Sequence, residues 1–123
     1  MRSLVLLALV LGLLVEPSPA SAGVDFRTPQ GKAYCRTGQG AAVLVCWTPN
    51  DGFTVRLGRS RPPSTGYVLR NQDHQPRVRR VLRFGERWRG SGFRCTSRRS
   101  GLTCRNRAGD GWWLGRRFGY RPR

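Results

Sequence analysis

Short apolar stretches separated by glycine and proline make up most of residues 23–123, and no stretch keeps a helical period. Phe53–Leu57 alternates strictly between apolar and polar residues, which is typical of a strand buried on one face. Gly58–Gly66 is expected to be a loop because it contains two adjacent prolines. The other expected strands are Lys32–Arg36, Ala42–Trp47, Tyr67–Leu69, Trp88–Cys95, Leu102–Asn106 and Trp112–Leu114, with Arg77–Phe84 pairing at a sheet edge or bending midway. This spacing predicts an all-β fold, either a small antiparallel sandwich or an open barrel.

The first 22 residues have the pattern of an export signal. A positive start at Met1–Ser3 precedes an apolar run over Leu4–Val15, which is shorter than the roughly 20 residues of a membrane-spanning helix. Ala20-Ser21-Ala22 has the A-x-A form of a signal-peptidase site. We therefore expect a signal peptide over residues 1–22 and a single secreted domain over 23–123, extracellular or associated with the cell envelope.

All four cysteines follow that signal, and an oxidising compartment would allow them to pair. Four cysteines allow three connectivities. A turn-like segment lies between Cys35 and Cys46 and another between Cys95 and Cys104, so the preferred pairing places one disulfide in each of two hairpins. No C-x-x-C spacing occurs and His74 is the only histidine, so neither a metal site nor a cofactor is expected. The chain has a weak internal repeat: Phe26-Arg27 leads through a glycine turn to Cys35-Arg36, and Phe93-Arg94 leads through Gly101 to Cys104-Arg105. This repeat predicts similar hairpins in the two halves.

Two motifs resemble a known family. Phe26–Cys35 resembles an F-x-(T/S)-P-S-G-N-x-x-C opening. The second motif comprises Phe84-Gly85, Phe93-x-Cys95-x-Ser97, Gly101-Leu102-Thr103-Cys104, Asn106 and Gly109-x-Gly111-Trp112, and it resembles a Y-G…F-x-C-x-S-x-x-x-G-V-T-C-x-N…G-H-G-F ending. Both motifs are similar to those of small secreted actinobacterial proteins with a domain of unknown function.

This chain departs from that pattern in three places. It has no central cysteine pair, Asp110 replaces the histidine of the G-H-G motif, and Lys32 replaces the asparagine of the opening. The resemblance implies export, paired cysteines and a β-rich fold, and it implies no chemistry.

The large positive charge of the chain predicts anionic partners. The chain has 23 Lys and Arg against 6 Asp and Glu, so its net charge is +17, and every basic residue except Lys32 is arginine. Guanidinium groups bind phosphate and carboxylate in a bidentate geometry. The expected partners are polyanions, namely cell-wall polymers, nucleic acid or an anionic lipid surface. The alternative is a biased base composition that leaves a solvated basic surface without a purpose. The candidate ligand-binding arginines are Arg79, Arg80, Arg98, Arg99, Arg116 and Arg117.

Trp113 is a candidate stacking platform. Strand alternation places Trp112 and Leu114 on one face and Trp113 on the other, among arginines. An exposed ring there would stack a base or a sugar. The alternative is a ring covered by the aliphatic stems of arginine side chains.

Acid–base catalysis has one candidate pair, His74 with Glu86, which would suit a small ribonuclease. The pair is weak because the chain has no second histidine. A third hypothesis is a cationic antibacterial toxin, although no amphipathic helix is predicted. The preferred prediction is a monomeric, non-enzymatic binding or envelope-associated module.

Overall fold

A computed structural model describes residues 24–38, 40–50, 52–67, 77–115 and 119–123. The strands are β1 (Phe26–Arg27), β2 (Tyr34–Gly38), β3 (Val43–Trp47), β4 (Phe53–Gly58), β5 (Ser64–Tyr67), β6 (Arg87–Gly90), β7 (Phe93–Arg98), β8 (Gly101–Arg105), β9 (Gly111–Gly115) and β10 (Tyr120–Pro122). A single 3-10 turn at Pro29–Gly31 follows β1. None of these described segments is a helix that could cross a bilayer.

Two antiparallel five-stranded sheets are formed, and within each sheet every strand pairs with the next strand along the chain. The first sheet has the order β1-β2-β3-β4-β5 and the second β10-β9-β8-β7-β6. Such meanders follow from short strands joined by tight turns. The predicted all-β class is confirmed, in the form of two sheets that do not close into a barrel.

Each sheet carries one disulfide, which joins β2 to β3 in the first sheet and β7 to β8 in the second. Cys35 lies directly opposite Cys46 and Cys95 directly opposite Cys104 in the strand register. The Cα atoms are 4.1 Å apart in both pairs. The preferred pairing is therefore confirmed.

The inner faces of both sheets share one hydrophobic core. The Phe26 and Trp88 rings pack against each other across the sheets with their centroids 5.0 Å apart. Trp112 and Leu114 are both buried, so they share one face as the alternation predicts, and the Trp112 indole N–H has no acceptor among the described residues. The buried core residues are Val24, Phe26, Ala33, Cys35, Leu44, Cys46, Val55, Leu57, Leu82, Phe93, Cys95, Leu102, Cys104, Trp112 and Leu114.

Several strand boundaries differ from prediction. The strand expected over Trp88–Cys95 is two strands, because Ser91 (φ 55°) and Gly92 (φ 88°) form a two-residue turn with both φ values positive. The loop expected over Gly58–Gly66 contains the start of β5, where Thr65 pairs with Val55. Strands β1 and β10 were not predicted because each has only two or three residues. Beyond Tyr67, the strand expected over Tyr67–Leu69 falls on residues outside the described ranges and stays a prediction.

The predicted edge pairing of Arg77–Phe84 is confirmed as far as residue 82. Val78 and Val81 form parallel bridges with Val24 and Arg27 beside β1. The Leu82 N–H donates to the Arg27 carbonyl at 2.8 Å, and the Leu82 side chain is fully buried. Residues 77–82, the described part of the link before residue 83, therefore lie along the edge of the first sheet.

Candidate anion-binding face

The outer face of the second sheet is built by simple alternation along its strands. In β7, Phe93, Cys95 and Ser97 are buried, so Arg94 and Arg98 project to the outside. In β6, the core-facing Trp88 separates exposed Arg87 from exposed Arg89. The pleat thus places every second residue on the solvent side, and in β6 and β7 all of these residues except Thr96 are arginines.

The strand register aligns these arginines across the sheet. Arg89 lies opposite Arg94, and Arg94 lies opposite Arg105. Like charges directly opposite each other on one face of a sheet are destabilising. Electrostatic repulsion within this row therefore destabilises the folded state unless a bound anion neutralises the charges.

A groove of about 280 Å³ lies within this arginine row. Arg87, Arg89, Arg94 and Arg105 line it, together with the hydroxyl-bearing side chains of two threonines, Thr96 and Thr103, and with Cys95. Thr96 and Thr103 are direct cross-strand neighbours at its floor. Strands β6–β10 contain no Asp or Glu. The groove offers guanidinium and hydroxyl donors and no acidic side chain, which suits phosphate.

A second depression of about 380 Å³ continues the groove toward the turn between β6 and β7. Arg89 and Arg94 line both depressions, and Arg107 adds a further cation. We call the outer surface of β6–β10, with both depressions, the cationic face.

Trp113 lies at the other side of the cationic face, directly opposite Thr103 on β8. A Cβ atom at Gly115 would overlap the six-membered ring of Trp113, and one at Gly119 would lie 3.4 Å from its Cζ3 atom. The indole therefore rests on two glycines, where no side chain lifts it from the sheet. Arg121 is its cross-strand neighbour, and the Arg121 guanidinium carbon is 5.7 Å from the ring centroid.

The predicted ligand-binding residues separate into three groups. Arg98 and Trp113 lie on the cationic face, and Arg99 occupies the turn at its margin between β7 and β8. Arg79 and Arg80 lie beside β1, at the edge of the first sheet. Arg116 and Arg117 lie outside the described residues. The structure therefore brings together only part of the predicted set.

Glu86 holds the turn that enters β6. Its carboxylate accepts hydrogen bonds from the Arg83 N–H at 2.8 Å and from the Arg80 guanidinium at 3.2 Å. The hydrogen bond from the Arg83 backbone, assisted by Arg80, holds the pKa of Glu86 below its ordinary value. His74 lies outside the described residues, so the predicted catalytic pair stays a prediction. In the part of the chain that is described, no cluster of His, Cys, Asp and Glu could hold a metal ion.

Sequence reasoning missed most of the cationic face because it searched for adjacent arginines. The signal was present as Arg87 and Arg89 on either side of Trp88, and as Arg94, Thr96 and Arg98 alternating with Cys95 and Ser97. That period is what gathers side chains on one side of a strand. The missed residues are Arg87, Arg89, Arg94, Thr96, Thr103, Arg105 and Arg121.

A smaller cavity of about 40 Å³ lies between the two sheets, lined by Thr28, Phe84, Ser97 and Leu114 among others. It has space for about three water molecules. The groove on the cationic face, of about 280 Å³, is larger than this cavity and is lined by four arginines.

Comparison with known families adds one finding. Residues 68–120 match the model of a family described as "Family of unknown function (DUF6636)". The DUF6636 match covers less than half of the chain and includes β6–β9, so most of the cationic face lies within it. Neither the search of curated proteins nor the search of solved structures found a match.

Proposed function

We propose that this chain is an exported, non-enzymatic binding module that holds polyanions on its cationic face. The observation that carries the proposal is the groove of about 280 Å³ lined by four arginines and two threonines. Arginine and threonine side chains are common donors to phosphate oxygens in complexes with nucleic acids. Phosphate is the chemistry shared by nucleic acid, wall polymers and anionic lipid headgroups.

The electrostatic repulsion within the arginine row supports the same proposal. The Arg89–Arg94–Arg105 row places like charges in direct opposition, and within the described residues the sole ion pair is Arg80–Glu86, outside this row. A bound polyanion would neutralise the row and stabilise the folded state by mass action. A purely compositional excess of arginine does not explain why the charges lie together.

The resemblance of both chain ends to small secreted actinobacterial proteins supports placing this chain among them. Paired cysteines are compatible with an oxidising compartment outside the cytosol. We therefore place the module in the extracellular space or at the cell envelope.

The experiment compares two charge-matched double variants for salt-dependent retention on immobilised polyphosphate and single-stranded DNA. One is Arg94→Gln with Arg105→Gln in the groove, and the control is Arg36→Gln with Arg56→Gln on the outer face of the first sheet. Each arginine–phosphate contact contributes about −0.7 to the slope of log affinity against log salt for a single strand. The groove variant should lose roughly 1.4 of that slope, and the control much less.

Equal losses in the two variants would show that retention follows net charge alone, and no loss in either would show that the groove holds no polyanion. Either result overturns the proposal. Circular dichroism of each variant checks that both remain folded.

A further inference from the structure

We infer that the ligand of the cationic face is single-stranded nucleic acid, with its phosphates in the arginine groove and one base stacked on Trp113. This inference rests on the proposed function and narrows it to one class of polyanion. It follows from the position, orientation and surroundings of one aromatic ring.

The register places the ring at a fixed position relative to the groove. Arg87, Thr96, Thr103, Trp113 and Arg121 follow one another across the five strands. Neighbouring strands lie about 4.8 Å apart, so this row is roughly 19 Å long. A chain crossing the strands meets arginine, then two hydroxyls, and then the indole. Sheet-based single-strand binders use sites of about four nucleotides or more, which matches a row of this length.

The orientation of Trp113 favours stacking over insertion. The indole rests on Gly115 and Gly119, so it lies along the sheet and is half-buried. The Arg121 guanidinium lies over the ring, with its carbon 5.7 Å from the centroid, so a planar partner would stack on the indole by taking the place of that guanidinium. Unstacked bases of a single strand present such planes, whereas the bases of a duplex stack on one another.

Other polyanions use only part of this arrangement. Inorganic polyphosphate and wall polyphosphates have no aromatic plane, so they would bind the arginines and ignore the indole. A membrane favours apolar side chains that project from the surface. The exposed large hydrophobic residues in the described ranges are Tyr67 and Phe84, and neither is on the cationic face.

The first sheet supplies a matched control. Trp47 is also half-buried on an outer face, and the Arg36 guanidinium carbon is 5.7 Å from its ring centroid, the same distance as for Arg121 and Trp113. The groove and its arginine row are on the other sheet. Trp47 differs in also stacking with Tyr34, with the ring centroids 5.9 Å apart. A contribution from any half-buried tryptophan beside an arginine should still appear at both positions, whereas one that needs the groove should appear at Trp113 alone.

The test measures the affinity of the whole protein for a fluorescent oligothymidylate of eight nucleotides by anisotropy, with inorganic polyphosphate as competitor. Stacking of one base is lost in Trp113→Ala, so oligonucleotide affinity should fall about tenfold. The Trp47→Ala variant should bind within about twofold of the unaltered protein, and Trp113→Phe should regain most of the loss. The concentration of polyphosphate that binds half of the protein should be unchanged in Trp113→Ala.

Thermal unfolding identifies any variant that fails to fold, and Trp113→Leu then replaces the alanine, because leucine covers the glycines without stacking. Equal loss in the two tryptophan variants, or equal loss of polyphosphate and oligonucleotide binding, would overturn the inference. Tighter binding to anionic phosphatidylglycerol vesicles than to the oligonucleotide would also overturn it. If polyphosphate binding survives and still requires Arg94 and Arg105, the proposed function stands without the inference.

Discussion

The two sheets share one plan on their inner faces and differ on their outer faces. Aligning the disulfides makes Cys35 equivalent to Cys95 and Cys46 equivalent to Cys104. The inner positions next to the disulfides then agree. Leu44 and Leu57 correspond to Leu102 and Leu114, and all four are buried. Phe26 and Trp88 also become equivalent, and their rings contact each other in the shared core.

The outer faces carry different side chains at equivalent positions. The first sheet places Tyr34 opposite Trp47, with stacked rings 5.9 Å apart, where the second sheet places Arg94 opposite Arg105. Val45 in the first sheet corresponds to Thr103 in the second. The fold therefore accepts an aromatic pair at this position and does not require arginine. This difference is what we expect if the arginine row has the binding role proposed for it.

The largest expected effect tests the shared inner plan. Replacing both cysteines of either disulfide with alanine should destabilise the protein by about 2.5–3 kcal/mol, because the closed loops are of similar length, with sequence separations of 11 and 9 residues. Urea unfolding followed by tryptophan fluorescence measures both losses. A large loss for one pair and none for the other would contradict the equivalence of the two sheets.

A graft between the outer faces should have a smaller effect of opposite sign. The double variant Arg94→Tyr with Arg105→Trp copies the first-sheet pair onto the second sheet. It replaces two opposed charges with a stacking pair, so stability should rise by about 1 kcal/mol while polyanion binding falls. Urea unfolding at low salt measures the gain.

The reverse graft is its control. Tyr34→Arg with Trp47→Arg should destabilise the protein without conferring the binding mode of the groove, because no Thr96–Thr103 floor lies beside that pair. A graft that loses stability as well as binding would show that the arginine row supports the fold.

A smaller effect concerns the connection between the sheets. The pKa of Glu86 is lowered in the folded state from its ordinary value of 4.5, chiefly by the Arg83 N–H hydrogen bond. Glu86 therefore stabilises the fold above its ordinary pKa, and this contribution is lost as pH falls through the lowered value. Melting temperatures should be lower for Glu86→Gln than for the unaltered protein at pH 7 and should converge in acid. Parallel profiles at every pH would contradict this role.

Sequence pattern predicted the class, the disulfides and the shared face of Trp112 and Leu114, because these depend on local alternation and spacing. It predicted two similar hairpins, but it aligned Cys35 with the second cysteine of the other pair, whereas the register aligns Cys35 with Cys95. The cationic face escaped prediction because it depends on which strands are neighbours and in what register. Arg89 on β6 and Arg105 on β8 lie in one row only because both are opposite Arg94 on β7, which the sequence alone does not indicate.

The most direct measurement of the central claim is an amide-correlation NMR titration of the four indole N–H signals with an eight-nucleotide oligothymidylate. The chain has four tryptophans, and single Trp→Phe variants assign their signals. We predict that the oligonucleotide shifts the Trp113 indole signal strongly. The Trp47 signal should shift no more than it does when the same amount of charge is added as simple salt. Equal shifts of Trp113 and Trp47, or a shift of Trp47 alone, would contradict the account.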